Sequence, residues 1–146
     1  MSNYYMIITN KLDYLKDVEN EFQCAGFPAR NKKSVMSMRP GDKIVYYVSK
    51  LSRFCAIVEV TGEYYYSKKR IWTDDYDLWE HRIPTTPITF QKSYLDGIYI
   101  KDIWDNLEMI KNKHKWGSQV MGSFRTLSEQ DFYVLFHALT KGAKNE

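Results

Sequence analysis

Apolar and polar positions divide the chain into short runs whose period changes several times. Tyr4 to Thr9 is a β-rich run, after which Leu12, Leu15, Val18 and Phe22 recur at the spacing of one helix face. A strand followed by a helix is the predicted opening. Gly26 and Pro28 end that helix, and Arg30 to Ser37 reads as a basic, polar connection. Arg39-Pro40-Gly41-Asp42 is a turn, since proline presets φ and glycine permits positive φ. Lys43 to Ser49 and Phe54 to Thr61 are β-branched and aromatic runs joined by a short polar link, which predicts a hairpin. Beyond the aromatic and charged stretch from Tyr64 to Asp77, Leu78 to Ile83 predicts a strand ended by Pro84. Ile88 to Phe90 predicts a short edge segment past Pro87. Ile103, Trp104, Leu107 and Ile110 suggest a short helix. The last element is the plainest: Ser128 as N-cap, Glu129 and Asp131 at the positive end of the dipole, and a stripe of Phe132, Leu135, Phe136 and Leu139.

About three helices around five or six strands, with no repeat or linker, predict one α+β domain over residues 1–146, a mixed sheet or small barrel covered by helices. Strands and helices do not alternate regularly and no glycine-rich phosphate loop follows a strand, which excludes a doubly wound sheet.

Composition adds one unusual feature. Twelve Tyr, seven Phe and four Trp make 16% of the chain, more flat surface than a core of this size requires, so some rings are expected to line a pocket or meet a partner. The net charge of +3 is too small to hold nucleic acid by charge alone. Local clustering matters more. Arg30, Lys32 and Lys33 form one basic group, Lys68, Lys69 and Arg70 a second, and Lys111, Lys113 and Lys115 a third, all in predicted loops. Solvation alone accounts for one such loop, whereas three of one sign suggest contacts to a phosphate backbone. Cys24 and Cys55 have neither paired spacing nor an adjacent His, so no zinc site or disulfide framework is implied. The opening MSNYYMIITNKLD lacks leader character and no window is apolar enough to span a bilayer. A soluble cytoplasmic protein without a membrane partner is expected.

Candidate chemistry is sparse. His81, His114 and His137 stand far apart, no G-x-S-x-G elbow occurs, and the acidic patch of Asp74, Asp75, Asp77 and Glu80 reads as a solvated loop. No catalytic residue, metal site or cofactor is predicted. Trp72, Trp79 and Trp116 fall in or beside predicted loops, where an indole either plugs the end of a sheet or stacks on a base. Trp72 follows Lys68-Lys69-Arg70, and Trp116 follows Lys113-His114-Lys115. Positive charge that holds phosphates beside a ring that holds an unstacked base is how single-stranded or extruded nucleotides are bound.

Three segments resemble the EVE-domain family of the PUA-like superfamily, which is related in fold to YTH and ASCH domains. MRPGDKIVYYVSK, Met38 to Lys50, is similar to the family's M-x-x-G-D turn and aromatic strand, and AIVEVTGE, Ala56 to Glu63, to its following strand. IKNKHKWGSQVMGSFRTLSEQDF, Ile110 to Phe132, is similar to the tail of a bacterial EVE subfamily in its W-G and its terminal helix. The resemblance implies a PUA-like mixed β pseudo-barrel holding a small aromatic pocket for a modified base, as in YTH readers of methyladenine. By position it places Asn10, Phe27 and Trp72 at the YTH pocket. Asn10 and Trp72 agree in residue type, while the YTH tryptophan near Phe27 has no counterpart. Tyr47, Ser49 and Trp116 are further candidates, chosen because their segments should border the pocket. Asn10 suits an N-cap equally well, Phe27 a hydrophobic staple and Tyr47 the core. Trp79 is assigned to neither side.

These readings lead to a non-catalytic nucleic-acid-binding module that recognises a modified nucleobase in RNA or DNA. Trp72 with Phe27 or Trp116 would stack on the base, Asn10 or Ser49 would bond its edge, and the basic loops would hold flanking phosphates. The rivals are an ASCH-like hydrolase of acylated nucleosides, with Lys50, Thr9 and Glu59 as nearest candidates, and a protein-interaction module.

Overall fold

The computed structural model describes residues 2–141; the single-domain expectation for the remaining positions of 1–146 lies outside them. In chain order the elements are β1 (Tyr4–Thr9), α1 (Lys11–Glu19), β2 (Cys24–Phe27), α2 (Lys32–Ser37), β3 (Lys43–Val48), β4 (Arg53–Val60), β5 (Tyr65–Tyr66), β6 (His81–Phe90), β7 (Ile98–Tyr99), α3 (Ile100–Ile103), β8 (Phe124–Leu127) and α4 (Glu129–Lys141), with 3-10 turns between several of them. The sheet runs β2-β6-β4-β3-β1-β8, with β5 added on β6 and β7 on β4. β1 lies parallel to β3, and the other pairs are antiparallel. Although β2 and β8 end the sheet, Phe27 meets Phe124 edge to face at 5.4 Å. Arg30 Nη2 also donates to Ser123 Oγ at 3.1 Å. The sheet therefore curls until its two ends touch through side chains without a closing ladder, the expected α+β pseudo-barrel.

Each face of the sheet has its own core. Ile44, Tyr46 and Val48 of β3 point into one cluster with Phe22 and Phe27, while Val45 and Tyr47 point into the other with Phe54, Phe132 and Leu135. The hairpin of β3 and β4 forms as predicted, and α4 does too. Ser128 Oγ accepts from Asp131 N at 3.1 Å, and Phe132, Leu135 and Leu139 are buried.

Other expectations change. The first helix stops at Glu19, and Glu21 and Phe22 then take left-handed φ values of 58° and 52°, so Phe22 reaches the core from a turn. Gly26 lies inside a strand, β2, and Arg30 to Ser37 is a 3-10 turn followed by α2. Of the apolar stripe expected on α1, Leu12 and Leu15 face outward, 63% and 42% exposed, while Val18 packs partly buried on the core and Asp13, Tyr14 and Asp17 are buried. Tyr14 fixes this rotation, because its hydroxyl lies 2.5 Å from the Gln91 carbonyl and 3.1 Å from that of Cys55. Pro84 and Pro87 do not interrupt β6. Pro84 sits opposite Cys24 where the strand passes from β2 to β4, and Pro87 sits opposite Val58 at a register shift. At such a handover or bulge the missing N–H removes little pairing.

Candidate functional site

Where the two ends of the sheet meet, they enclose a cavity of about 460 Å³. Ile7 to Thr9 of β1 form its base, and Asn10, Asp13 and Asp17 form one wall. Gly26 and Phe27 of β2 form another, and Trp72, Trp79 and the 120–123 segment complete it. The parallel ends of β1 and β3 open the space, because the chain leaves β1 at Asn10 to start α1 and leaves β3 at Ser49 to turn. The two departures are tied together where Ser49 N donates to Thr9 O at 2.8 Å.

Trp72 is held on three sides. Its Nε1 donates to Asp17 Oδ1 at 2.9 Å, and the Arg82 guanidinium lies 5.2 Å from the ring centre. Its six-membered ring lies directly on Gly26. A methyl at Gly26 would overlap that ring and come within 2.9 Å of Trp79 Cβ, so the strand needs a glycine here. Arg82 is 1% exposed and donates to the carbonyls of Lys69, Leu78 and Trp79, which fastens both ends of the loop carrying Trp72. Asp13 holds the loop's middle: Oδ1 accepts from Thr73 N at 2.8 Å and Thr73 Oγ1 at 2.7 Å, while Oδ2 accepts from Asn10 Nδ2 at 3.1 Å.

Asp17 is different. It is buried, and Trp72 Nε1 is the donor it receives. Burial, opposed by the Trp72 bond and reinforced by the charge of Asp13, pushes its carboxyl up to about 8. Tyr46 is driven far above the ordinary phenol value by burial first and by Asp17 next. The Tyr46 hydroxyl and Trp79 Nε1 are buried in the cavity walls without a hydrogen-bond partner, a costly state for a dry polar group.

Among the sequence candidates, Asn10, Phe27, Ser49, Trp72 and Arg30 line this cavity. Asn10 serves as cap and wall together, since its Oδ1 accepts from Asp13 N at 2.8 Å. Two candidates lie elsewhere. Tyr47 points to the opposite face of β3 and packs on Phe54 at 4.9 Å, so the neighbouring Tyr46 takes the place at the cavity. Trp116 belongs to the second core, 6.1 Å from Trp104, with Lys101 beside both rings. Lys113 pairs with Asp105 there, and Lys115 is exposed on the same segment. Lys32 and Lys33 follow Arg30 and are exposed; Lys68, Lys69 and Arg70 are exposed on the loop that carries Trp72. Of the hydrolase candidates, Thr9 lines the cavity, Lys50 is in the exposed turn after β3, and Glu59 pairs with Lys43 at 3.5 Å.

Sequence reasoning missed Asp13, Asp17, Tyr46 and Arg82, and Trp79, which it assigned to neither side, lines the cavity. One signal was present: Asp13, Tyr14 and Asp17 form an i, i+1, i+4 stripe that competes with Leu12, Leu15 and Val18. Among the described residues, no three His, Cys, Asp or Glu side chains converge as a metal site, and no helix is long and apolar enough to cross a membrane.

The EVE domain family matches residues 3–138. A UPF0310 protein of Pyrococcus abyssi is 28% identical over 144 residues, covering 91% of this chain and 96% of its own. One of Pyrococcus horikoshii is 27% identical over 145 residues, covering 90% and 95%. Among solved structures, the Mmi1 YTH domain superposes with a TM-score of 0.69 at 6% identity, over 99% of this chain and 79% of that one. The YTH domain of the Zygosaccharomyces rouxii MRB1 protein, solved in complex with N6-methyladenosine RNA, gives 0.65 at 12% identity over 94% and 86%. At these identities the structural likeness concerns the fold.

Proposed function

The chain belongs to the EVE domain family, and from that premise we propose that it is a non-catalytic nucleic-acid-binding module whose cavity takes up one chemically modified nucleobase from a strand of RNA or DNA. The observation that carries this reading is the cavity itself. Its volume of about 460 Å³ falls in the range of small-molecule sites, and flat rings and polar edges meet inside it. Trp72, Trp79 and Phe27 supply apolar area against which an extruded base and a methyl substituent gain contact, with stacking contributing on the order of 1–3 kcal/mol. Asn10, Asp17 and Ser49 supply hydrogen-bonding groups for its edge. Arg30 in the wall, with Lys32 and Lys33 after it and Lys68 to Arg70 on the Trp72 loop, offers positive charge for flanking phosphates. The YTH domain solved with N6-methyladenosine RNA has the same fold, which supports the same use of it.

Titration of intrinsic tryptophan fluorescence with modified and unmodified nucleosides and short single strands tests the reading. Saturable binding of a modified base is expected, and Trp72→Ala should weaken it by about 10-fold or more. Absence of binding by every nucleoside and strand at millimolar concentration overturns it.

A further inference from the structure

The cavity wall contains one polar group whose state decides what it can bind. Asp17 receives a single donor, from Trp72 Nε1, and among the described residues no Lys or Arg lies within ion-pair distance of it. The titratable and charged groups facing it are Asp13 and Tyr14 on α1, Cys24 on β2, Tyr46 on β3 and Arg82 on β6, with Arg30 at the wall. Arg82 gives its donors to carbonyls and stacks on the indole, so its charge is engaged there. A dry carboxyl with one donor, a second carboxyl one helical turn away and no paired cation favours its protonated form, in keeping with the upward shift that burial gives it.

We propose that Asp17 reads the edge of the bound base as a neutral carboxylic acid, so that the cavity selects uncharged modified bases presenting a hydrogen-bond donor beside an acceptor. In this arrangement Oδ2–H donates to the ring nitrogen of the base, and Oδ1 accepts from the exocyclic N–H while keeping its bond from Trp72. Adenine-type and cytosine-type edges both meet the requirement. An ionised carboxylate has no donor and would instead take two donors or a cationic base. Arg30 adds positive charge to the wall, which disfavours a cationic occupant.

This inference rests on the base-pocket reading. Affinity is measured by fluorescence and calorimetry between about pH 6 and about pH 9.5 with N6-methyladenosine and 5-methylcytidine, neither of which titrates in that range, on the native protein, Asp17→Asn and Asp17→Leu. At about pH 7 their cationic counterparts, 1-methyladenosine and 3-methylcytidine, are compared. Native affinity for whichever uncharged probe binds should be level in acid and then fall as Asp17 ionises, approaching about tenfold per pH unit. Asn keeps one donor and one acceptor in the same places, so Asp17→Asn should bind within about threefold of native and lose the pH dependence. Asp17→Leu should bind about 10- to 100-fold more weakly. The cationic probes should bind less tightly than the uncharged ones. Failure of all four probes to bind overturns this inference, and the base pocket falls with it only if the wider set of nucleosides and strands also fails to bind. Binding with an unchanged pH profile in Asp17→Asn, a loss in Asp17→Asn equal to that in Asp17→Leu, or preference for the cationic probes overturns this inference alone.

Discussion

Helices α1 and α4 look alike in the sequence and do opposite things in the fold. Both carry apolar residues at helical spacing, yet α4 buries its stripe against the sheet while α1 turns Leu12 and Leu15 to solvent and buries Asp13 and Asp17. α4 covers a closed core, so its stripe gains apolar contact, and its one buried carboxylate, Asp131, accepts from the backbone N–H groups of Glu108 and Met109 at the helix start. α1 borders a cavity. Its polar side chains bond a loop that must be held in place, and Tyr14 reaches strand carbonyls to set the rotation. The difference teaches that a helix beside a binding cavity is oriented by what it must hold, and that this can outweigh the transfer of two leucines.

The comparison breaks most readily on the α4 side. Leu135 is fully buried, so Leu135→Ala should destabilise the protein by about 2–5 kcal/mol, read by urea unfolding. Ligand affinity of the folded fraction should be unchanged, because Leu135 sits in the core on the face away from the cavity. A smaller loss, or a change in affinity, would mean that the two faces are not separate.

A second effect, somewhat smaller, sharpens the α1 side through pH. Asp17 has its carboxyl raised to about 8 in the folded protein, against about 3.9 in an unfolded chain. The folded state therefore holds the proton more tightly. The stability this group contributes is fully present below about pH 4 and is lost as pH rises toward 8, beyond which the curve flattens. The loss is at most the roughly 1.4 kcal/mol per pH unit that one linked proton gives. Asp17→Asn lacks this titration, so its stability relative to the native protein should rise by a few kcal/mol across the same window. Parallel stability-against-pH curves for the two proteins from acid to neutral pH would remove Asp17 from the account of why α1 turns its polar stripe inward.

How much of this was legible follows the same division. The hairpin, the turn at Pro40-Gly41, β1 and α4 were readable because each carries a local signal that tertiary contacts reinforce. β2 and β8 were not, since four-residue end strands with a glycine or an arginine inside them carry little periodicity. Of the residues the sequence singles out, Asn10, Phe27, Ser49 and Trp72 line the cavity, whereas Tyr47 does not and its neighbour Tyr46 does. The reason is physical: β3 is central and buried on both faces, so IVYYV has no polar alternation to show which tyrosine faces the cavity. Trp116 misled because basic neighbours accompany a packed indole as readily as a binding one; Lys101 lies over the rings of Trp104 and Trp116 and Lys113 over that of Trp104, and neither ring lines the cavity of about 460 Å³. Arg82 could not be read at all. An arginine in a strand normally marks solvent, and its buried role depends on loop carbonyls that only the fold brings to it.

The smallest expected effect tests the outward stripe of α1. If Tyr14, Asp13 and Asp17 set the rotation, the exposed leucines contribute almost nothing to folding. Leu12→Ser and Leu15→Ser should then each shift stability by no more than about 0.5 kcal/mol, even though both remove apolar residues from a regular helical stripe. Serine's lower helix propensity accounts for much of that change, and Leu12→Lys, which restores a good helix former, should recover it. Denaturation midpoints measured side by side would decide. A loss comparable with that of Leu135→Ala would show that these leucines are covered in solution, and α1 would then have a packing face that the isolated chain leaves bare.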